Sequence, residues 1–323
     1  MRLRAAESGT LGAMARIGLV LGAGGVVGAA FHEGVLRALT QVTSWDPREA
    51  DVIVGTSAGS HVAARLRAGR PTRGLGHRPA AWSQGQTPRP RRRPSAPGAI
   101  LRGMMRPGSV PIGAMFAGAV PPGRVSLQSM VDAINGYHPH GWPADPLWLP
   151  AVRVRDGVRV AFGRAGAPPC DVGHAVAASC AIPGYFAPVE IEGESYVDGG
   201  AHSPTNADLL ADQALDLVVV VAPMAVARGA SSPSAMLQAR GFFRLQLARE
   251  ARTLRRRGTE VVAFSPTAAD LEVMGWNAMA QGRSRAVTDR AYASAVGRLE
   301  DPRWAGPLEP LRATARMTRR TPR

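Results

Sequence analysis

The pentapeptide Gly55-Thr56-Ser57-Ala58-Gly59 directly follows the apolar run Asp51-Val52-Ile53-Val54, and that junction limits the folds open to the chain. A buried strand that ends on Gly-x-Ser-x-Gly and runs into a helix must turn sharply with the serine at its apex. The apex backbone is strained, and bulky side chains at the flanking positions would collide with the adjoining strand and helix. A helix beginning near Ala58 aims its N-terminal N–H groups and partial positive charge at the serine. The pattern points to a nucleophile elbow with Ser57 as the reactive hydroxyl. Taken alone, it reads equally well as a glycine-bordered turn.

Upstream stand Ile17-Gly18-Leu19-Val20-Leu21, then Gly22-Ala23-Gly24-Gly25-Val26-Val27-Gly28, then a helical pattern from about Val27 to Leu39. A short buried strand thus enters a glycine-rich loop, with Gly22, Gly24, Gly25 and Gly28, before a helix. Glycines let consecutive N–H groups point into one concavity at a helix start, where an anion or a developing oxyanion can bind. A dinucleotide pyrophosphate cradle and an oxyanion hole both fit.

A third element separates them. Val189 to Val197 predicts a hairpin turning at Glu192-Gly193, and Asp198-Gly199-Gly200 leaves its end with glycines that permit a sharp turn. An aspartate held near a serine hydroxyl can take its proton during acyl transfer, although Asp-Gly alone is most simply a turn. A pyrophosphate cradle needs an acid at the end of the second strand. Asp46 and Glu49 precede that strand, which closes on the serine elbow instead. An NAD(P)-dependent oxidoreductase is therefore the minor alternative.

In this order the three motifs resemble the patatin-like phospholipase family, over roughly residues 16–69 and 152–223, with weaker similarity to about Arg290. The resemblance implies a three-layer α/β/α fold with a mainly parallel central sheet. It implies a serine lipid acyl hydrolase that cleaves carboxylic esters of phospholipids or related lipids through an acyl-enzyme, with no cofactor. Ser57 would be the nucleophile, Asp198 the base acting without a histidine, and the N–H groups of Gly24, Gly25 and Val26 the oxyanion donors. Two positions depart from the family pattern: Ala23 stands where a further glycine is common, and Val27 where Arg or Lys is common. Main-chain donors survive both changes, whereas the missing cation bears on how a head group would be placed. A non-catalytic lipid- or nucleic-acid-associated protein that keeps the hydrolase shell is the alternative of a different class.

With 323 residues, one large α/β domain is expected over 14–300. Residues 1–13 read as a flexible extension, 69–123 as a variable Pro/Gly/Arg-rich insertion or cap, and 301–323 as a basic tail. Hairpin signals recur at Leu147–Val154 and Val158–Phe162. A helix is predicted over Cys170–Ser179, a buried parallel strand over Leu217–Ala222, an amphipathic helix over Phe242–Arg257, a strand over Glu260–Phe264 and a helix over Ser284–Leu299. Strands alternating with helices give a mainly parallel sheet covered on both faces.

The formal charge is +15, and arginine carries all of the basicity because the chain has no lysine. Runs at Arg89–Arg93, Arg252–Arg257 and Arg312–Arg323 lack interleaved aromatics, which disfavours nucleic acid. A coding bias with a solvated surface is the main reading, and peripheral contact with an anionic membrane is the second. The two cysteines, Cys170 and Cys180, build no disulfide framework or metal site, and no apolar run is long enough to span a membrane. A cytoplasmic location follows from these features, with a membrane-peripheral one as the variant.

Histidine supply excludes the ordinary Ser–Asp–His order, because His202 lies only four residues beyond Asp198 and none follows it. His61, one helical turn past Ser57, is read as a helix-surface residue. His32 is read as a packing or surface residue of the glycine-loop helix, and His202 as a residue near the cleft.

Overall fold

The computed structural model describes residues 14–76, 123–227 and 235–320. The expected extension at 1–13 and the apolar segments Ile100–Met105 and Ile112–Val120 of the expected cap lie outside them.

Among the described residues the strands form one eight-stranded sheet in the order β5-β6-β3-β2-β1-β7-β8, with β4 paired to β3. The strands are β1 (Ile17–Leu21), β2 (Val52–Gly55), β3 (Leu147–Arg153), β4 (Arg159–Phe162), β5 (Val189–Ile191), β6 (Glu194–Asp198), β7 (Leu217–Val221) and β8 (Glu260–Phe264). β1 pairs in parallel with β2 and β7, β2 with β3, and β7 with β8. The hairpins add antiparallel pairings of β3 with β4 and β6, and of β5 with β6.

Unbroken apolar runs make the parallel centre because those strands are covered on both faces. In β1 and β7, Ile17, Leu19, Leu21, Leu217, Val219 and Val221 enter one core, while Val20, Val218 and Val220 enter the other. The first core is closed by α1 (Gly25–Thr43), α2 (Ala58–Arg67), α3 (Gln128–Asn135), α4 (Val172–Cys180) and α7 (Ser284–Leu299). The second is closed by α5 (Ala235–Arg256), through Leu247, Ala251 and Leu254, and by the segment Ala207–Leu215. The layering is α/β/α with a thinner second helical layer.

α1 and α7 cross closely where Gly34 faces Ala291 and the Thr288 main chain, and the Thr288 hydroxyl donates to the Ala30 carbonyl. A short helix α6 (Ala268–Met274) is closed by a capping box between Thr267 and Asp270. Residues 301–320, the described part of the expected basic tail, pack on the domain. They carry α8 (Glu309–Arg320), and Leu308, Leu311 and Ala315 join the main core. Their helical spacing was there to read, but the arginines between them obscured it. Among the described residues no helix is long and apolar enough to cross a membrane.

Candidate active site

Three loops meet at the carboxyl end of the parallel strands, where open α/β sheets commonly bind ligands. They are the glycine loop after β1, the elbow after β2, and the turn after β6.

Ser57 sits between β2 and α2 with φ 54 and ψ −120, a conformation that non-glycine residues rarely adopt. It occupies the cap position of α2 with no side-chain cap hydrogen bond, so its hydroxyl is not used as a cap. The surroundings over-determine this strained backbone. The Ser57 N–H donates to Ser179 Oγ at 3.0 Å, and its carbonyl accepts from Ser60 Oγ at 2.6 Å and from Cys180 Sγ at 3.2 Å. Gly59 explains the motif's last glycine: a Cβ there would lie 1.9 Å from the Leu21 carbonyl oxygen. The elbow helix is pressed directly against the end of β1.

Asp198 ends β6, where its N–H donates to the Ala181 carbonyl at 2.9 Å. One carboxylate oxygen accepts the Gly200 N–H at 2.7 Å, and the Ser57 side chain stands beside the same carboxyl. Both residues are buried. Burial pushes the Asp198 carboxyl up to about 6, against the opposing pull of the Ser57 hydroxyl and the Gly200 N–H. The carboxylate is thereby a stronger base than an exposed aspartate.

The glycine loop is held from both sides. The N–H groups of Gly22 and Ala23 donate to the carbonyls of Val221 and Pro204, and that of Val27 to the Ala278 carbonyl. Gly25 takes φ +63, and a Cβ there would fall 2.7 Å from the Ala278 oxygen. Among the described residues, the N–H groups of Gly24, Gly25 and Val26 have no protein acceptor. In an unbroken helix Val26 would donate to Gly22 four residues back. Here the Gly22 carbonyl faces His32 Nε2 at 2.7 Å instead. His32 is fully buried, and burial lowers its pKa to about 4 despite that hydrogen bond. It is a neutral strut beneath the loop, more specific than the packing or surface residue expected from sequence. His61 is buried rather than on the helix surface. His202 is half-buried with its pKa lowered, mainly by burial and then by Arg159.

Several supporting residues were missed in the sequence. Ser179 closes the helix expected over Cys170–Ser179 and Cys180 is one of the two cysteines, and the sequence assigns neither a role at the elbow. Asn206, fully buried, donates from Nδ2 to the Thr56 hydroxyl at 3.1 Å and to the Ser203 carbonyl at 2.6 Å. Glu250 on α5 accepts from the hydroxyls of Ser203 and Thr205 and from the Ala207 N–H. A signal existed: Glu250 is the one acid among the arginines of α5 and lies on the same helical stripe as Leu247 and Leu254. Burial raises its pKa, against those three donors. Among the described residues, no group of three or more His, Cys, Asp or Glu could hold a metal ion.

No curated protein matches the sequence. Among solved structures, the type III effector protein ExoU is similar with a TM-score of 0.38 and 15% identity, covering 88% of this chain and 53% of that one. VipD from Legionella pneumophila is similar with a TM-score of 0.41 and 11% identity, covering 89% of this chain and 67% of that one. The chain thus spans about half the length of the first and two thirds of the second. The patatin-like phospholipase family model matches residues 19–211, which takes in the glycine loop, the serine elbow and the acid turn. Because that match covers more than half of the sequence, the chain belongs to the patatin-like phospholipase family.

Proposed function

We propose that the protein is a serine lipid acyl hydrolase working with a Ser57–Asp198 dyad. One observation carries the reading: a strained, buried serine stands beside a buried carboxylate whose pKa is raised to about 6. Ser57 Oγ attacks the carbonyl carbon of a lipid ester while Asp198 takes the hydroxyl proton. The negative charge that develops on the carbonyl oxygen is met by N–H groups of Gly24, Gly25 and Val26. Collapse expels the alcohol, which leaves with the proton from Asp198, and an acyl-Ser57 remains. Water then attacks that ester, Asp198 takes its proton, and collapse frees the fatty acid and returns the proton to Ser57.

A carboxylate near pKa 6 suits this exchange better than one near 4, because it binds the proton more firmly yet is ionised at neutral pH. No further group is needed to move the proton.

Fluorophosphonate labelling tests the proposal. Wild-type protein should be modified at Ser57, Ser57→Ala should not, and Asp198→Asn should label slowly and lose ester turnover. A folded wild-type protein that resists the probe, or an Asp198→Asn variant with near-normal hydrolysis, removes the dyad.

A further inference from the structure

The geometry points to a docking surface for an anionic phospholipid bilayer on the exposed face of α5 and the neighbouring loop at Trp276, a reading that rests on the hydrolase proposal. α5 follows β7 and precedes the parallel strand β8, so its N-terminal half lies at the sheet end that carries the site. Arg240 fixes that height by donating to the carbonyls of Pro223 and Ala225, and the Pro223 ring packs against Gly24. On the other side of the glycine loop, Ala278 covers Gly25 and accepts from Val27. Trp276, two residues earlier, is 69% exposed.

The exposed stripe of α5 has an order that a merely solvated face does not need. Phe242 and Leu245 are 36% and 53% exposed and stand in the N-terminal half of the helix. Arg249, Arg252 and Arg256 continue the same stripe away from it. The helix's one acid, Glu250, is buried and bonded to the loop below, so the outer face carries only positive charge. Apolar side chains enter the interface while arginines beside them meet lipid phosphates. A bilayer is chosen over nucleic acid because Phe242, Leu245 and Trp276 add apolar surface that a phosphate backbone would not use. Docked this way, the glycine loop that Pro223 and Ala278 flank would stand at one edge of the docked surface.

The test uses full-length Ser57→Ala protein, so that binding is read without turnover, and vesicles of phosphatidylcholine with or without phosphatidylglycerol. Co-sedimentation should be strong only with the anionic vesicles. Arg249→Gln and Arg252→Gln should each weaken it roughly 5-fold, and Phe242→Ser with Leu245→Ser roughly 10-fold or more. Arg303→Gln, on the exposed pair with Asp301, should change nothing. Trp276→Phe should keep binding while removing a blue shift in tryptophan fluorescence seen on docking. In the Ser57-containing background, the same face variants should lose hydrolysis of vesicle lipid yet retain hydrolysis of a monomeric short-chain ester. Equal binding to neutral vesicles, or unchanged binding in the face variants, overturns the surface while leaving the hydrolase standing. Tighter binding to duplex DNA than to anionic vesicles, lost in the same arginine variants, overturns it in favour of nucleic acid. Loss of the monomeric ester activity in wild type would instead count against the dyad, with vesicle binding unaffected.

Discussion

Asn206 donates its side-chain amide to the Thr56 hydroxyl across 150 residues of sequence, joining the segment after the acid turn to the serine elbow. Its backbone is left-handed, with φ 52, a conformation asparagine tolerates better than most residues. The Gly199 carbonyl lies 3.3 Å from the same Nδ2, and Arg159 donates to Oδ1. One amide therefore touches the residue before Ser57 and the residue after Asp198.

Asn206→Ala should cost about 2–3 kcal/mol, since it strands buried partners at Thr56 and Ser203 and forces alanine into a left-handed backbone. The catalytic signature is sharper. The kcat should fall at least tenfold with KM little changed, because the variant loosens the relative placement of Ser57 and Asp198. Chemical denaturation and steady-state kinetics on a soluble ester read both effects.

Asp198 should give activity an acidic limb and make the charged site a source of instability. As the proposed base it must be ionised, so kcat/KM should fall tenfold per pH unit below about 6. Its folded pKa lies above the unfolded 3.8, so the folded state binds the extra proton between about pH 4 and 6. This group's contribution to stability is therefore greatest in acid and declines as pH rises through 6. Asp198→Asn should accordingly abolish turnover while stabilising the fold by about 3 kcal/mol at pH 7, with little gain below pH 4. Thermal melts of both proteins across that range check the sign.

His32 works in the opposite sense. Its folded pKa is about 4 against 6.5, so the unfolded chain takes the proton first as the solution is acidified. Its contribution is complete above pH 6.5 and is lost as pH falls toward 4. His32→Gln, which keeps a donor for the Gly22 carbonyl, should flatten the acid side of the stability profile and retain much of the activity. His32→Ala should lower kcat roughly 10²-fold, by letting Gly22 and Val26 rearrange and withdrawing a donor from the proposed oxyanion pocket.

The elbow's packing predicts a contrast between two glycines. Gly59→Ala would place a methyl carbon 1.9 Å from the Leu21 carbonyl and should cost about 3 kcal/mol or more. Gly69→Ala, with φ +75 but nothing within 4 Å, should cost only about 1–2 kcal/mol for its backbone. Urea unfolding midpoints of the two variants give the comparison.

Much of this architecture is local and could be read residue by residue. The valine-rich runs at Val52–Val54 and Leu217–Val221 can be satisfied only by burial on both faces, and the hairpins at Asp156-Gly157 and Glu192-Gly193 follow from turn chemistry. The elbow and acid turn were visible because strain and tight turning require particular residues at fixed short spacing. α8 was hidden because three buried side chains had to be recognised among arginines that dominate the composition.

The alternation of strands and helices, and the demand for particular residues at Ser57, Asp198 and the glycine loop, are legible locally, since backbone conformation and hydrophobic period are set within a few positions. That Ser179, Cys180, Asn206, Glu250 and His32 hold those elements in place emerges from the folded chain. Their hydrogen bonds join residues brought together by the order of strands in the sheet, and neither spacing nor composition encodes which distant carbonyl or hydroxyl a buried polar group will meet. The same limit applies to α5: period separated its apolar face from its arginines, but the fold set its N-terminal half at the sheet end that carries the glycine loop.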